Sequence, residues 1–259
     1  MKGLTELITC IQEISAGNYS NDIMALTGEE YGPLIREVAE SVGLMMVRIE
    51  AREFELEQAH EDLKRSTLET VSSAARALGL RDSYTSGHGD RVGCYASRLA
   101  VRRGYDSDFI EQVRIAGVLH DMGKIGFSDT LFSNTDTCPD EEMLHEIRLH
   151  PQWGYDMLQG LSFLRPSLEY IRCHHERMDG TGYPRGLHGD EIPDGAKIIS
   201  IADVFDAITT NRNYQKAREC EQAFEILRKL AGPSLDPELV EIFIDEIEQN
   251  GMQFCSDKK

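Results

Sequence analysis

The chain has 259 residues, of which 41% are hydrophobic and 28% charged, and its 45 acidic against 27 basic side chains give a formal net charge of −18. That length suits one large domain with an appendage, or two small domains, with ample hydrophobic material for a core. So acidic a surface argues against nonspecific binding to DNA, RNA or anionic membrane, so a phosphate-bearing substrate has to be attracted locally, by metal ions or a few placed basic residues.

The six cysteines, Cys10, Cys94, Cys138, Cys173, Cys220 and Cys255, are scattered and form no Cys-x-x-Cys pair. They read as reduced thiols of a cytoplasmic protein. The N-terminus lacks the basic and apolar regions of a signal peptide, and no apolar run is long enough to span a membrane. The chain is expected to be soluble, with no membrane segment of its own.

Residues 3–15 predict a short amphipathic helix, broken by Ala16-Gly17-Asn18. Pro33 then opens a long helical pattern. Its apolar or small positions, Ile35, Val38, Val42, Met45, Ile49, Leu56, Ala59 and Leu63, are spaced 3, 4, 3, 4, 7, 3 and 4 apart, with Arg52 in the skipped slot. That is a heptad seam. It fits a parallel dimeric coiled coil that passes a signal onward, or an amphipathic helix packed on its own domain. The absence of Gly and Pro over 50–78 favours the dimer. Short helix, Gly-Asn turn and second helix together resemble the HAMP-type linkers of bacterial signalling proteins. That resemblance implies a sensor or membrane segment before this chain in a longer parent.

The chemistry-bearing residues follow. His88 lies in the segment that leads into a helix beginning near Gly89. The next helix starts near Ser107-Asp108, which are reasonable caps, and ends in His120-Asp121. Gly123 reads as its stop signal, after which Lys124 reaches out. Pro139 and the acids after it open a helix carrying His145 and His150, whose five-residue step puts them on different faces. His174 and His175 are adjacent and precede a turn-rich loop, Asp179-Gly180-Thr181-Gly182-Tyr183-Pro184. The run 198–208 is apolar on most faces. A charge inside it, Asp203, is costly unless paired or bound to a metal. Arg212 follows near that helix's end. Two further helical patterns, 219–231 and 238–250, close the core.

Several histidine-bearing segments and two buried-looking aspartates describe a helical cage for more than one metal. Carboxylate and imidazole ligands suit iron, manganese or zinc. A carboxylate that bridges two ions suits hydrolysis of a phosphate ester.

Five ordered blocks over about 125 residues make the resemblance specific. They are Asp82…Tyr84-Thr85…Gly87-His88…Arg91-Val92; Leu119-His120-Asp121-Met122-Gly123-Lys124-Ile125-Gly126; His150-Pro151…Gly154; His174-His175-Glu176-Arg177…Asp179-Gly180…Gly182-Tyr183-Pro184; and Ala202-Asp203-Val204-Phe205-Asp206-Ala207. From about residue 68 to 243 the chain resembles an HD-GYP domain, a subgroup of the HD metal-dependent phosphohydrolases. The resemblance implies an all-α bundle that hydrolyses cyclic di-GMP to pGpG and, in many members, GMP. It implies two divalent ions, iron or manganese. His88, His120, Asp121 and Asp203 would hold one; Asp121 would bridge to a second, held also by His150, His174 and His175. The expected nucleophile is hydroxide activated by the two metals. Lys124 and Arg212 would contact substrate phosphate. The Gly182-Tyr183-Pro184 loop would be a surface for substrate or for diguanylate cyclase (GGDEF) domains.

His145 and His188 match no ligand position. Two positions depart from the family pattern. Tyr84 stands where a glutamate accompanies a third metal, and Gln215, followed by Lys216, stands where many members have a basic residue. The expected organisation is a signalling segment over 1–66, a catalytic domain over 67–250 and a frayed tail over 251–259. The alternatives are a cyclic di-GMP receptor or interaction module with little turnover, and a phosphohydrolase of another cyclic dinucleotide.

Overall fold

The computed structural model describes residues 3–19, 22–81, 87–133, 140–210 and 217–252. Tyr84, Arg212, Gln215, Lys216 and the tail beyond 252 lie outside the described residues. Among the described residues eleven α-helices run in order: α1 (Leu4–Ser15), α2 (Asp22–Ala25), α3 (Pro33–Arg81), α4 (His88–Arg103), α5 (Ser107–Leu119), α6 (Asp129–Ser133), α7 (Glu141–Leu158), α8 (Arg165–Cys173), α9 (Asp194–Thr209), α10 (Cys220–Leu230) and α11 (Pro237–Asn250). Among the described residues, β structure is confined to two isolated bridges, Asp179 with His188 and Ala231 with Leu235. The fold is all-α, as expected. The chain divides into two compact units, Met1–Leu68 and Glu69–Lys259, and the division falls within α3.

In the first unit, Leu7, Ile14, Ile23, Leu26, Ala39 and Met46 form a buried cluster, with Ile35, Val38 and Val42 packed against it. The first three seam positions of α3 are therefore spent on the chain's own α1 and α2. Further along, Met45, Leu56 and Leu63 stay exposed.

In the second unit α4 packs on α5, α9 and α11, and α5 on α8 and α9. The α4–α5 crossing is close because each helix offers a glycine there. A Cβ on Gly117 would stand 2.7 Å from the Cα of Gly93. Tyr95 of α4, Phe205 of α9 and Phe243 of α11 meet edge to face, with ring centroids 5.1–6.1 Å apart. Each such aromatic pair adds about 0.5–1.5 kcal/mol beyond burial.

Caps set the helix starts. The carboxylate of Asp106, not Ser107 or Asp108, accepts from the Phe109 amide and caps α5. Ser107 and Asp108 sit inside the first turn, where an acid still favours the helix dipole. Asp140 caps α7 and Asp236 caps α11 in the same way. Cys10, Cys173 and Cys220 are free. Among the described residues no helix is long and apolar enough to cross a membrane.

Candidate metal centre

Three of the site histidines sit where the backbone leaves a carbonyl without its helical partner. α5 ends at Leu119 and α8 at Cys173, so the last carbonyls of each lack the helical amide donor four residues on. His120 and His174 are the residues just past those ends. Their Nδ1 atoms lie 2.8 and 2.6 Å from the carbonyls of Gly117 and Ile171. His150 reaches the same arrangement inside a helix. Pro151 lies within α7 and has no N–H for the carbonyl four residues back. That carbonyl belongs to Ile147, and His150 Nδ1 lies 2.6 Å from it. A carbonyl only accepts, so Nδ1 carries the proton in all three rings and Nε2 presents its lone pair.

The lone pairs converge. His88, His120 and Asp203 form one donor group, His150, His174 and His175 another, and His120, Asp121 and His174 a third that joins them; within each group the donor atoms lie within 4.8 Å of one another. Asp121 stands in the middle with its two oxygens divided. Oδ1 is 3.4 Å from His150 Nε2, while Oδ2 is 3.4 Å from His120 Nε2 and 3.8 Å from His88 Nε2. Lys124 Nζ donates to Oδ2 at 2.6 Å.

This placement rests on a glycine. A Cβ on Gly123 would collide with the His150 carbonyl and the Gly154 amide. The turn Met122–Gly126 thereby lies directly on α7. Gly123 was expected to stop the preceding helix. Its structural role is this close approach, since α5 already ends at Leu119.

His88 is held differently. Its Nδ1 pairs with Asp206 Oδ2 at 2.7 Å, and its Nε2 faces Asp203 Oδ1 at 3.2 Å. Arg91 donates to the same Asp206 from Nε at 2.6 Å and from Nη2 at 3.0 Å. Asp206 lies in the last of the sequence blocks, where no role was expected of it. Its signal was the three-residue step from Asp203, which puts both on one helix face.

Glu176 likewise stands in one of the sequence blocks, with no role assigned to it there. It is buried, and its two carboxylate oxygens accept from the amides of Arg185 and Leu187, at 2.7 and 3.0 Å. They pin the loop that carries Tyr183, whose ring lies 4.8 Å from that of His175. His145 and His188 are exposed, away from this cluster.

Burial disfavours charge on the imidazoles. It lowers His150 to about 3 and His175 to about 4, and holds His174 well below its usual value. Burial would likewise lower His88, but its hydrogen bonds to Asp203 and Asp206 outweigh this and raise it to about 9. For Asp121 and Asp203 burial opposes ionisation; Lys124 and the histidines overcome it at Asp121, and His88 chiefly at Asp203, so both stay carboxylates. The metal-free protein therefore titrates in two directions. Below 6.5 the unfolded chain takes up protons that folded His150, His174 and His175 refuse, so stability falls as pH drops from 6.5 toward 4. Folded His88 holds a proton that the unfolded chain releases, so its contribution is lost as pH rises from 6.5 to 9. Melting in chelator is expected to peak between about pH 6 and 7. A melting temperature that climbs steadily to pH 9 would contradict the raised His88.

A divalent cation fits this donor set. The Nε2 atoms of His150 and His174 are buried with no hydrogen-bond partner. An unsatisfied buried polar atom costs about 1–3 kcal/mol, and a cation removes that cost by accepting the lone pair. His88 backed by Asp206 is the carboxylate–histidine arrangement that orients metal ligands. His145→Ala is expected to leave metal content and melting temperature at wild-type values, because that ring is exposed; a loss of metal would show that the wrong histidine of α7 was chosen.

A family model described as HD domain matches residues 70–239. The chain belongs to the HD domain family. This HD domain is 34% identical over 227 residues to the cyclic di-GMP phosphodiesterase response regulator RpfG of Xanthomonas campestris, covering 86% of this chain and 59% of that protein. It is 33% identical over 229 residues to the 3′3′-cGAMP-specific phosphodiesterase 3 of Vibrio cholerae, covering 84% and 49%. The chain thus spans about half the length of these curated relatives. Among solved structures, a cyclic GMP-AMP specific phosphodiesterase of V. cholerae superposes with a TM-score of 0.58 at 18% identity, over 71% of this chain and 49% of that one. That likeness is one of fold.

Proposed function

We propose that this HD domain hydrolyses a cyclic dinucleotide, cyclic di-GMP first, to pGpG or GMP. The observation that carries the reading is Asp121, whose two oxygens face different histidine groups, so that one carboxylate could serve two cations. His88, His120, Asp121 and Asp203 would hold one ion, and Asp121, His150, His174 and His175 the other, with iron or manganese the expected metals. Such ions, when bound, lower the pKa of water toward neutrality and offset charge on a phosphoryl group.

The chain's own residues supply the rest. Neutral imidazoles present lone pairs fixed by backbone carbonyls. Lys124 donates to Asp121 and is the proposed contact for substrate phosphate. Arg212 is proposed as a second phosphate contact. Phe127 and Tyr183, ringed against His150 and His175, limit water around the centre. The exposed apolar positions of α3 support a homodimer through that helix, with residues 1–66 as its signalling segment and 67–250 as the catalytic part. The loop around Tyr183 is the proposed docking surface for GGDEF partners, and the substrate class implies a cytoplasmic location.

Relatives named for 3′3′-cGAMP favour that dinucleotide as the second candidate substrate. The deciding experiment is anaerobic purification with metal analysis, followed by chromatographic assay of both dinucleotides. About two iron or manganese ions per chain with linear product is the expected result. Bound metal and bound dinucleotide without product would instead identify a receptor.

A further inference from the structure

A pocket open to solvent adjoins the metal centre. His88, Asp121 and Lys124 contribute to its lining, and so do the last turns of α3, through residues that include Arg76. Among the described residues that line it, the arginine and lysine side chains are Arg76 and Lys124. Lys124 is engaged by Asp121 at 2.6 Å. Arg76 is half exposed and loosely held: Nη1 lies 3.3 Å from Asp90 Oδ1, and Nη2 lies 3.3 Å from Ser73 Oγ. An exposed pair at that distance contributes little and is readily exchanged.

A cyclic dinucleotide carries two phosphodiesters on opposite sides of one ring. When one is at the metal centre the other stands away from it, still charged, against a protein of net charge −18. It needs a local cation. A guanidinium matches it better than an ammonium, because its planar fork donates two parallel hydrogen bonds to phosphate oxygens.

We propose that Arg76, on the last turns of α3, is a specificity residue that leaves Asp90 to bind the second phosphodiester of a cyclic dinucleotide. The inference rests on the substrate class proposed above. Its test compares two substrates on metal-loaded full chain: cyclic di-GMP, with two phosphodiesters, and bis(p-nitrophenyl) phosphate, with one. Arg76→Ala is expected to raise KM for cyclic di-GMP about ten-fold with kcat nearly unchanged, and to leave the aryl diester unaffected. Arg76→Lys falls between, and Asp90→Asn, which releases the guanidinium, gives a KM at or below wild type.

If Asp90→Asn instead reproduces the Arg76→Ala defect, the pair is only a tether between α3 and α4 and the proposal fails. It fails equally if Arg76→Ala slows both substrates alike or changes neither. Those failures require an active wild type. Wild-type protein that cleaves the aryl diester but neither cyclic dinucleotide overturns the substrate reading, and the assignment of Arg76 with it.

Discussion

Asp121→Ala is expected to lower turnover by roughly a thousand-fold, about 4 kcal/mol of transition-state stabilisation, and to strip the protein of metal. The geometry puts this loss at one residue rather than sharing it among seven. Asp121 reaches both sides of the cluster, with Oδ1 toward His150 and Oδ2 toward His120 and His88. Alanine removes both oxygens and leaves Lys124 without its 2.6 Å partner. The fold should survive, because Lys124 is partly exposed and can hydrate, and the rest of the helical frame is untouched. Metal analysis and a thermal melt on the same preparation check this. Activity retained in metal-replete protein would show that Asp121 does not bridge. Asp121→Asn keeps the shape and loses the charge, and should bind metal weakly without restoring turnover.

The second large effect is expected at Asp206, which touches no proposed metal position. It is almost wholly buried and accepts from His88 Nδ1 and twice from Arg91. Burial by itself would raise its pKa, but these hydrogen bonds hold it below the usual carboxylate value. Its contribution is therefore present above 3.8 and lost as pH falls through the folded value. In Asp206→Asn an amide N–H₂ meets donors, and the guanidinium and imidazole lose their counter-charge. Metal affinity should fall about 10–100-fold, as when other carboxylates behind ligating histidines are removed. Breaking a buried pair costs about 3–5 kcal/mol, with the lower end expected because Arg91 keeps some solvent contact. For a unit of this size that lowers the melting temperature by roughly 6–12 °C. Isothermal titration with manganese and differential scanning calorimetry measure the two effects separately. Wild-type manganese affinity in Asp206→Asn would show that His88 needs no support from α9.

Much of this was legible in the linear chain, for identifiable reasons. The helices show because apolar positions recur at helical spacing and because Asp140, Asp236 and Pro33 mark their starts. The candidate donors show because buried histidines and aspartates are costly without a partner, so their clustering in and beside apolar helical runs signals a shared one. His150 and His145 were separable by helical phase, and one is buried while the other is exposed. The expectation that went astray locally is instructive. Gly123 carried the pattern of a helix stop, but its lack of a side chain is needed for contact with α7, which starts eighteen residues further along the chain.

Residue chemistry and short-range pattern thus determined the all-α class, the family and the set of candidate donors, because each depends on what a side chain is and on its near neighbours. Tertiary structure decided which atoms those donors present. Pro151 frees the carbonyl that fixes His150, and the ends of α5 and α8 do the same for His120 and His174; these are local facts whose purpose appears only when the rings converge. Asp206 behind His88 spans 118 residues of chain. Such pairs arise from how α4 lies on α9 and its other neighbours. That packing is a sum of many small apolar contacts, and no single stretch of sequence carries it.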